Sequence, residues 1–256
     1  PVAVIVASRE FEVVGVEVNE DKVRAVNEGR CYIKEPDLPK LLRDAVFKGL
    51  LRAITDGVEA IKLADLAIVA VPTKVKWNEV GKPLDLSVLL NVIKTIGKGI
   101  SKGNVVIIES TVPPGTTLNL VKPLLEEVSG LRVEDDIGLA YSPERIMTGH
   151  ALQDIEENYP KIVAGVGSRS TKVVKALYEV IAKKGVIILS SPTVAEFEKV
   201  AEGIYRDVNI ALANELAKLA HKLGVDFEEV RRAANSQPHC HLHKPGTGVG
   251  GSCIPI

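Results

Sequence analysis

Cys253 closes a glycine-rich run, Pro245-Gly246-Thr247-Gly248-Val249-Gly250-Gly251-Ser252-Cys253-Ile254-Pro255. Glycine lets a backbone approach a ligand closely, and a thiol in such a loop is a candidate nucleophile that adds to an electrophilic carbon. The plain alternative is an ordinary loop thiol. Earlier in the chain, three segments join turn residues to hydroxyls or carboxylates. They are Val71-Pro72-Thr73, Glu109-Ser110-Thr111-Val112-Pro113-Pro114-Gly115 and Ser142-Pro143-Glu144-Arg145. Side chains of these types hold water, move protons or bind hydroxyl groups. Glu17, in Val16-Glu17-Val18-Asn19, is a further carboxylate at the end of an apolar run. The cluster His239-Cys240-His241-Leu242-His243 has zinc-ligand residue types. No Cys-x-x-Cys pair accompanies it, and residues this close do not easily reach one ion, so no metal site is expected.

These groups work together only if the fold gathers them, and the hydropathy pattern says how. Helices are predicted over residues 1–8, 21–27, 37–48, 58–63, 85–100 (capped by Asp85), 116–128, 171–182, 193–223 and 227–234. Strands are predicted over 12–18, 51–55, 66–71, 105–109, 137–141, 161–166 and 186–189. Residues 235–256 read as a loop. Apolar strands alternating with helices imply an α/β fold with a parallel sheet covered on both faces. Ligands of such sheets bind at the C-terminal ends of the strands, so Glu17, Pro72-Thr73, Ser110-Thr111 and Ser142-Pro143-Glu144 should line one edge. The helical pattern from 193 exceeds the usual 8–20 residues and reads as a spine joining domains or subunits.

The opening helix and the strand over 12–18 match the second and third parts of a Rossmann-like unit whose first strand and Gly-rich turn would precede Pro1. Glu17 then takes the position that accepts hydrogen bonds from the adenosine ribose, which favours NAD over NADP. A solvated charge on a sheet edge is the plain alternative. The expected organisation is an N-terminally incomplete NAD-binding domain over 1–192, then a long central helix and a helical and loop segment carrying Cys253 over 193–256.

At Ser142-Pro143-Glu144-Arg145 and at the glycine-rich run ending in Cys253, the sequence resembles the UDP-glucose/GDP-mannose dehydrogenase family. Val16-Glu17-Val18-Asn19 is similar to its ribose-binding strand end, and Val71-Pro72-Thr73 and Glu109 to Gly115 to its cofactor-facing loops. Residues 195–215 resemble its central helix, with Lys199 at the catalytic-lysine position. The order and spacing match across essentially the whole chain. Arg145, where others carry Phe, resembles the branch acting on UDP-N-acetylhexosamines, notably UDP-N-acetylmannosamine. Members continue past the cysteine motif into a UDP-binding domain, so the resemblance covers the earlier parts only.

The resemblance implies NAD-dependent, four-electron oxidation of the C6 hydroxyl of a UDP-sugar to a carboxylate. Two hydrides leave, and the aldehyde must be held between the two steps. Cys253 adds to it as a thiohemiacetal, the second hydride transfer gives a thioester, and water hydrolyses it. Lys199 would stabilise oxyanion character, Glu144 would orient or activate the water, and Thr111 would help hold a water near the reacting carbon. Glu17, Lys22, Val71, Pro72, Thr73, Ser110 and Thr111 would face the cofactor. Glu144, Arg145, Lys199, His239, His243, Gly246, Gly248 and Gly250 would face the sugar nucleotide. Two positions depart from the family pattern: Gly203 where an Asn is common, one turn after Lys199, and His239 where an Arg is common. Both bear on which UDP-sugar is used, and UDP-glucose is the alternative.

A hydroxyacid or 6-phosphogluconate-type dehydrogenase shares the dinucleotide domain and long helix but uses Lys without a nucleophilic Cys, so Cys253 discriminates. A reading of another class is a non-catalytic fragment that dimerises through the long helix. That helix places Ile204, Val208, Leu212, Leu216 and Leu219 on one stripe, which predicts a homodimer contact. The chain begins inside an apolar helix and ends in a glycine-rich loop. Both ends read as cut, so the chain as written is expected to bind NAD poorly and to be inactive. Of its 256 residues, 46% are hydrophobic and 25% charged, with a net charge of -1, which gives no global basic field for nucleic acid. No apolar run approaches the ~18 residues of a membrane span. Three cysteines, odd in number and far apart, argue for a reducing, cytoplasmic setting.

Overall fold

A computed structural model describes residues 1–75 and 84–248. Gly250 and Cys253 lie outside the described residues. In chain order the elements are α1 (Val2–Ser8), β1 (Val13–Val16), α2 (Glu20–Asn27), α3 (Leu38–Phe47), β2 (Leu51–Ile54), α4 (Gly57–Lys62) and β3 (Leu66–Val69). Next come the two-residue strands β4 (Lys74–Val75) and β5 (Leu84–Asp85), α5 (Ser87–Gly99), β6 (Val105–Ile108), α6 (Lys122–Ser129) and β7 (Gly138–Tyr141). The chain continues through α7 (Ala151–Gln153), β8 (Lys161–Gly165), α8 (Ser168–Ile181), β9 (Val186–Ile188), α9 (Pro192–Leu223) and α10 (Phe227–Ala234). It divides into two compact units, Pro1–Thr73 with Asp85–Phe197 and Lys74–Leu84 with Glu198–Ile256.

In the first unit the sheet comes in two pieces, β1-β2 and β3-β6-β7-β8-β9. Strands β3, β6 and β7 are parallel, with Leu66, Val105 and Gly138 in one row. β6 is buried throughout, and its side chains alternate between two cores. Val106 and Ile108 pack with Leu89 and Ile93 of α5 and Leu125 of α6. Val105 and Ile107 pack with Val174, Tyr178 and Ile181 of α8 and Ile5 of α1. Both faces of the central strand are thus covered, as a continuous apolar run requires.

Caps follow side-chain chemistry. The Asn19 side chain accepts from the Asp21 and Lys22 N–H groups, and Asp56 from Val58 and Glu59, satisfying donors that a helix start leaves open. Three local expectations are corrected. Asp85 is not the N-cap of α5; Leu86 holds that place, and Asp85 accepts from Ser87 N–H at 2.9 Å from one residue further back. The helix expected over 116–128 opens with a π-turn over Thr117–Val121, and the buried Glu196 carboxylate takes the Gly115 and Thr117 N–H groups at its start. And β8 runs antiparallel to β7, since the chain returns after β7 through residues 142–160, with only α7 and a π-turn, instead of crossing over.

The second unit, described by itself, holds most of α9 together with α10 and the following loop. α9 runs 32 residues without interruption and contains Gly203 in its interior. A Cβ on Gly203 would meet nothing within 4 Å, whereas one on Gly99 of α5 would lie 2.8 Å from the Val58 carbonyl oxygen of α4. The same substitution therefore acts in opposite directions. Gly203→Ala should raise stability by about 0.5–1 kcal/mol through helix propensity. Gly99→Ala should lower it by about 1–3 kcal/mol through overpacking. Urea unfolding of the two variants checks both signs.

Candidate active site

The parallel register of β3 and β6 brings their trailing loops level, and the hydroxyls there stitch the loops together. Glu109 and Ser110 both donate backbone N–H groups to Val69 O, at 2.9 and 3.2 Å. The Ser110 hydroxyl accepts from Val71 N–H at 2.9 Å and reaches Val71 O at 2.7 Å. The Thr73 hydroxyl donates to Thr111 O at 3.0 Å. Val71, Thr73, Ser110 and Thr111 thus share one edge, as the strand ends predicted. Gly115, at φ +92°, makes the turn that presents this loop to Glu196.

Next along the edge, Ser142 follows β7 and donates its N–H to Ile108 O. Its hydroxyl donates to Ile162 O at 2.7 Å, fastening the Ser142-Pro143-Glu144 turn to β8. Because β8 is antiparallel, its first residue lies at the C-terminal end of β7. Tyr141 pairs with Ala164, and continuing that register by three residues sets Glu144 opposite Lys161. The Lys161 ammonium lies 2.9 Å from Glu109 Oε1 and 3.1 Å from Glu144 Oε2. Its side chain is only 6% exposed and that of Glu109 not at all, while Glu144 reaches the surface. The Tyr178 hydroxyl donates to Glu109 Oε1 at 2.6 Å, and its ring lies 4.9 Å from the ammonium. The second oxygen of Glu109 is buried with no hydrogen-bond partner among the described residues.

These contacts set protonation. Burial pulls the Lys161 ammonium toward neutrality, but the charges of Glu109 and Glu144 outweigh it and leave its pKa above the ordinary value. Burial, and then the negative charge of Glu109, push the Tyr178 phenol well above 10.0.

The loop after Glu144 is also fixed. Arg145 donates its backbone N–H to Glu144 Oε1 at 2.8 Å. Its guanidinium donates to Pro160 O and lies over the Tyr159 ring, 4.8 Å from the centroid. Buried Glu35 accepts from Gly149 and Ala151 N–H at 2.9 and 2.7 Å, capping α7 from a distant part of the sequence.

Glu17 follows β1, at the end of the other piece of sheet. Its carboxylate accepts from Asn19 N–H at 3.0 Å and lies 3.4 Å from the Lys22 ammonium. The Asn19 N–H, with help from Lys22, holds its pKa below the ordinary value.

The remaining sequence-predicted residues belong to the second unit. Lys199 stands early on α9. His239 donates its backbone N–H to Gln237 Oε1, and Gly246 donates to Asn214 Oδ1 at 2.8 Å. His241 and His243 meet edge to face at 5.4 Å. Burial first, then His241 and Arg206, lower the pKa of His243. Gly248 closes the described loop at φ +129°.

Sequence reasoning missed Glu109 as a buried charge, and missed Lys161, Tyr178, Glu35 and Glu196. The first two had a readable signal: each is a charged residue abutting an otherwise apolar strand, Glu109 after Val105–Ile108 and Lys161 before Ile162-Val163-Ala164.

Comparison with known proteins decides the family. Residues 1–183 match the NAD binding domain of the UDP-glucose/GDP-mannose dehydrogenase family, and residues 193–256 its central domain. The chain belongs to that family. It is 39% identical over 255 residues to the UDP-N-acetyl-D-mannosamine dehydrogenase of Pyrococcus horikoshii, covering 100% of this chain and 59% of that protein. It is 37% identical to the NDP-N-acetyl-D-galactosaminuronic acid dehydrogenase of Ralstonia nicotianae, over 100% of this chain and 60% of that protein. The solved Pyrococcus horikoshii structure superposes with a TM-score of 0.93 at 37% identity, covering 100% of this chain and 59% of that one. A GDP-mannose dehydrogenase from Pseudomonas aeruginosa superposes with a TM-score of 0.88 at 29% identity, over 99% and 59%. The chain thus spans about three fifths of the length of its curated relatives.

The buried ionic cluster of this family member gives a pH signature. The charge of Lys161 is favoured by folding, so its contribution is complete below the unfolded value near 10.5 and is lost as pH rises through the higher folded value. Tyr178 acts in the same direction, because its unfolded phenol ionises from about 10.0 while the folded one stays neutral. Stability should hold between pH 7 and 9 and fall above about 10, and Tyr178→Phe should flatten that fall. Lys161→Met, which strands two carboxylates, should cost about 3–5 kcal/mol at pH 7. Urea unfolding across pH measures all three, and equal alkaline slopes in wild type and Tyr178→Phe would contradict the assignment.

Proposed function

We propose that the protein is an NAD-dependent nucleotide-sugar 6-dehydrogenase, converting the C6 alcohol of a UDP-sugar to a carboxylate, with UDP-N-acetyl-D-mannosamine as the preferred sugar nucleotide. The observation that supports this most is the strand-end edge. It sets the bonded loops of Thr73 and Thr111 next to a carboxylate, Glu144, that is held on a buried lysine. An edge of that kind suits a redox step followed by a water-dependent one.

The residues present fit a dinucleotide. Glu17 offers an accessible carboxylate to ribose hydroxyls, and the loops of Val71-Pro72-Thr73 and Ser110-Thr111 form a polar wall at the ends of β3 and β6. NAD, when bound, supplies the hydride acceptor. The chain's own groups do the rest. Cys253 holds the aldehyde carbon between the two oxidations and then carries the acyl group. Lys199 steadies negative charge on the substrate oxygen. Thr111 holds a water, and Glu144 accepts a proton from the water that attacks the thioester. His239, His243, Gly246, Gly248, Gly250 and Arg145 face the sugar nucleotide.

The same reading makes the protein a homodimer through α9. Ile204, Val208, Leu212 and Leu219 are 46–57% exposed along that helix, a denser apolar stripe than solvent favours. No helix among the described residues is long and apolar enough to cross a membrane.

The natural full-length protein should form two NADH for each UDP-N-acetyl-D-mannosamine oxidised and should sediment as a dimer at micromolar concentration. Cys253→Ser should abolish acid formation with NAD affinity retained, because a hydroxyl is a far weaker nucleophile than a thiol at neutral pH. One NADH per sugar with release of free aldehyde would overturn the covalent reading, and a monomer would remove α9 from the interface.

A further inference from the structure

We propose that Lys161 is the positioning residue for Glu144, fixing from the buried side the carboxylate that handles the hydrolytic water, with Glu109 and Tyr178 fixing Lys161 in turn. This rests on the role given to Glu144 above.

Both oxygens of Glu144 are engaged. Oε1 takes the Arg145 N–H at 2.8 Å, and Oε2 takes the Lys161 ammonium at 3.1 Å. The first bond is local and sets only the turn. The second reaches across to β8 and ties the side chain to the sheet. Lys161 cannot swing away, because its ammonium also meets Glu109 at 2.9 Å and lies against the Tyr178 ring. Glu109 is held by the Tyr178 hydroxyl, and Tyr178, on α8, is buried in a cluster with Val105, Ile107, Ala140 and Val163 of the sheet. The order of constraint runs from the core outward: Tyr178, Glu109, Lys161, Glu144.

A pair that served stability alone would stop at Glu109 and Lys161, whose charges already balance. The third member is the one that reaches the surface, on the Ser142-Pro143-Glu144 turn at the strand-end edge. Extending the cluster to that residue aims a carboxylate.

The step it serves is balanced. The water oxygen bonds to the acyl carbon of the Cys253 thioester, the carbon–sulfur bond breaks, and the sulfur leaves as thiolate. The water proton passes to Glu144 and then to solvent. Lys161 neither gives nor takes a proton. The two carboxylates keep it charged against the opposing effect of burial, so it acts as a fixed tether.

The test uses the natural full-length protein with NAD and UDP-N-acetyl-D-mannosamine, followed by rapid mixing and intact-protein mass spectrometry. In Lys161→Met, two NADH should appear at close to the wild-type rate. Steady-state turnover should then be slower by about 10–100-fold, and the acyl adduct on Cys253 should accumulate. Lys161→Arg, which keeps charge and reach, should recover most of the turnover. If Lys161→Met does not fold, the double variant Glu109→Gln with Lys161→Met removes the fully buried charge, leaves only the surface-reaching Glu144 without its partner, and should show the same split. Slowing of the NADH burst and of turnover by equal factors, with no adduct, would reduce Lys161 to a structural role and overturn the proposal. So would unchanged kinetics. One NADH per sugar in the wild type would overturn the reading of Cys253 and this proposal with it. Two NADH in the wild type with no split in the variants would overturn this proposal alone.

Discussion

An ammonium group withdrawn from water must be met by negative charge, and the strand-end edge of this protein is built around that requirement. Lys161 is nearly inaccessible and opens β8, so its counter-charges have to come from neighbouring strands. Glu109 arrives at the end of β6 and Glu144 three residues past β7. Both can reach it because β8 turns back antiparallel and brings its start to the ends of β6 and β7. The sheet direction at that one pair of strands therefore decides whether the cluster can exist. A conventional crossover after β7 would have delivered Lys161 to the opposite edge.

The other strand-end contacts complete the same surface. Ser110 and Thr73 lock the loops after β3 and β6, Glu196 locks the turn at Gly115, and Glu35 locks the segment after Glu144. Each is a side chain bonded to backbone groups of a segment distant in sequence. Loops that carry function are ordinarily the mobile parts of a fold. Here each is held by at least one buried or half-buried polar anchor. That arrangement suits the proposed reaction, in which one substrate would stay bound through two oxidations and a hydrolysis, with little tolerance for a displaced group.

Much of this was legible in the sequence, and what was not has physical reasons. The alternation of apolar strands with helices foretold β1, β2, β3, β6, β7, β8 and β9 and the long α9, because core-facing periodicity is a local property. Residues Val71, Thr73, Ser110 and Thr111 were found together because they sit at strand ends, and a parallel register makes strand ends neighbours. Lys161 and Tyr178 are not legible in the sequence because their shared partner, Glu109, lies 52 and 69 residues away. The direction of β8 is hidden for a similar reason. A short run such as Lys161–Gly165 reads identically in either orientation. The sequence points to Asp85 as the cap of α5 because capping residues are recognised by type, whereas the cap itself is set by where the backbone turns helical. The roles proposed for Lys199 and Cys253 rest on family resemblance, since neither a helix lysine nor a loop thiol announces chemistry by its type alone.

The claim on which this account turns is that Lys161 and Glu144 are energetically one unit. A double-mutant cycle measures it directly: urea unfolding of the natural protein, Lys161→Met, Glu144→Gln and the double variant. The account predicts a coupling of about 1–3 kcal/mol between the two sites, with Glu144→Gln costing much less once Lys161 is gone. Effects that add to within about 0.5 kcal/mol would show that the two side chains act independently and would contradict it.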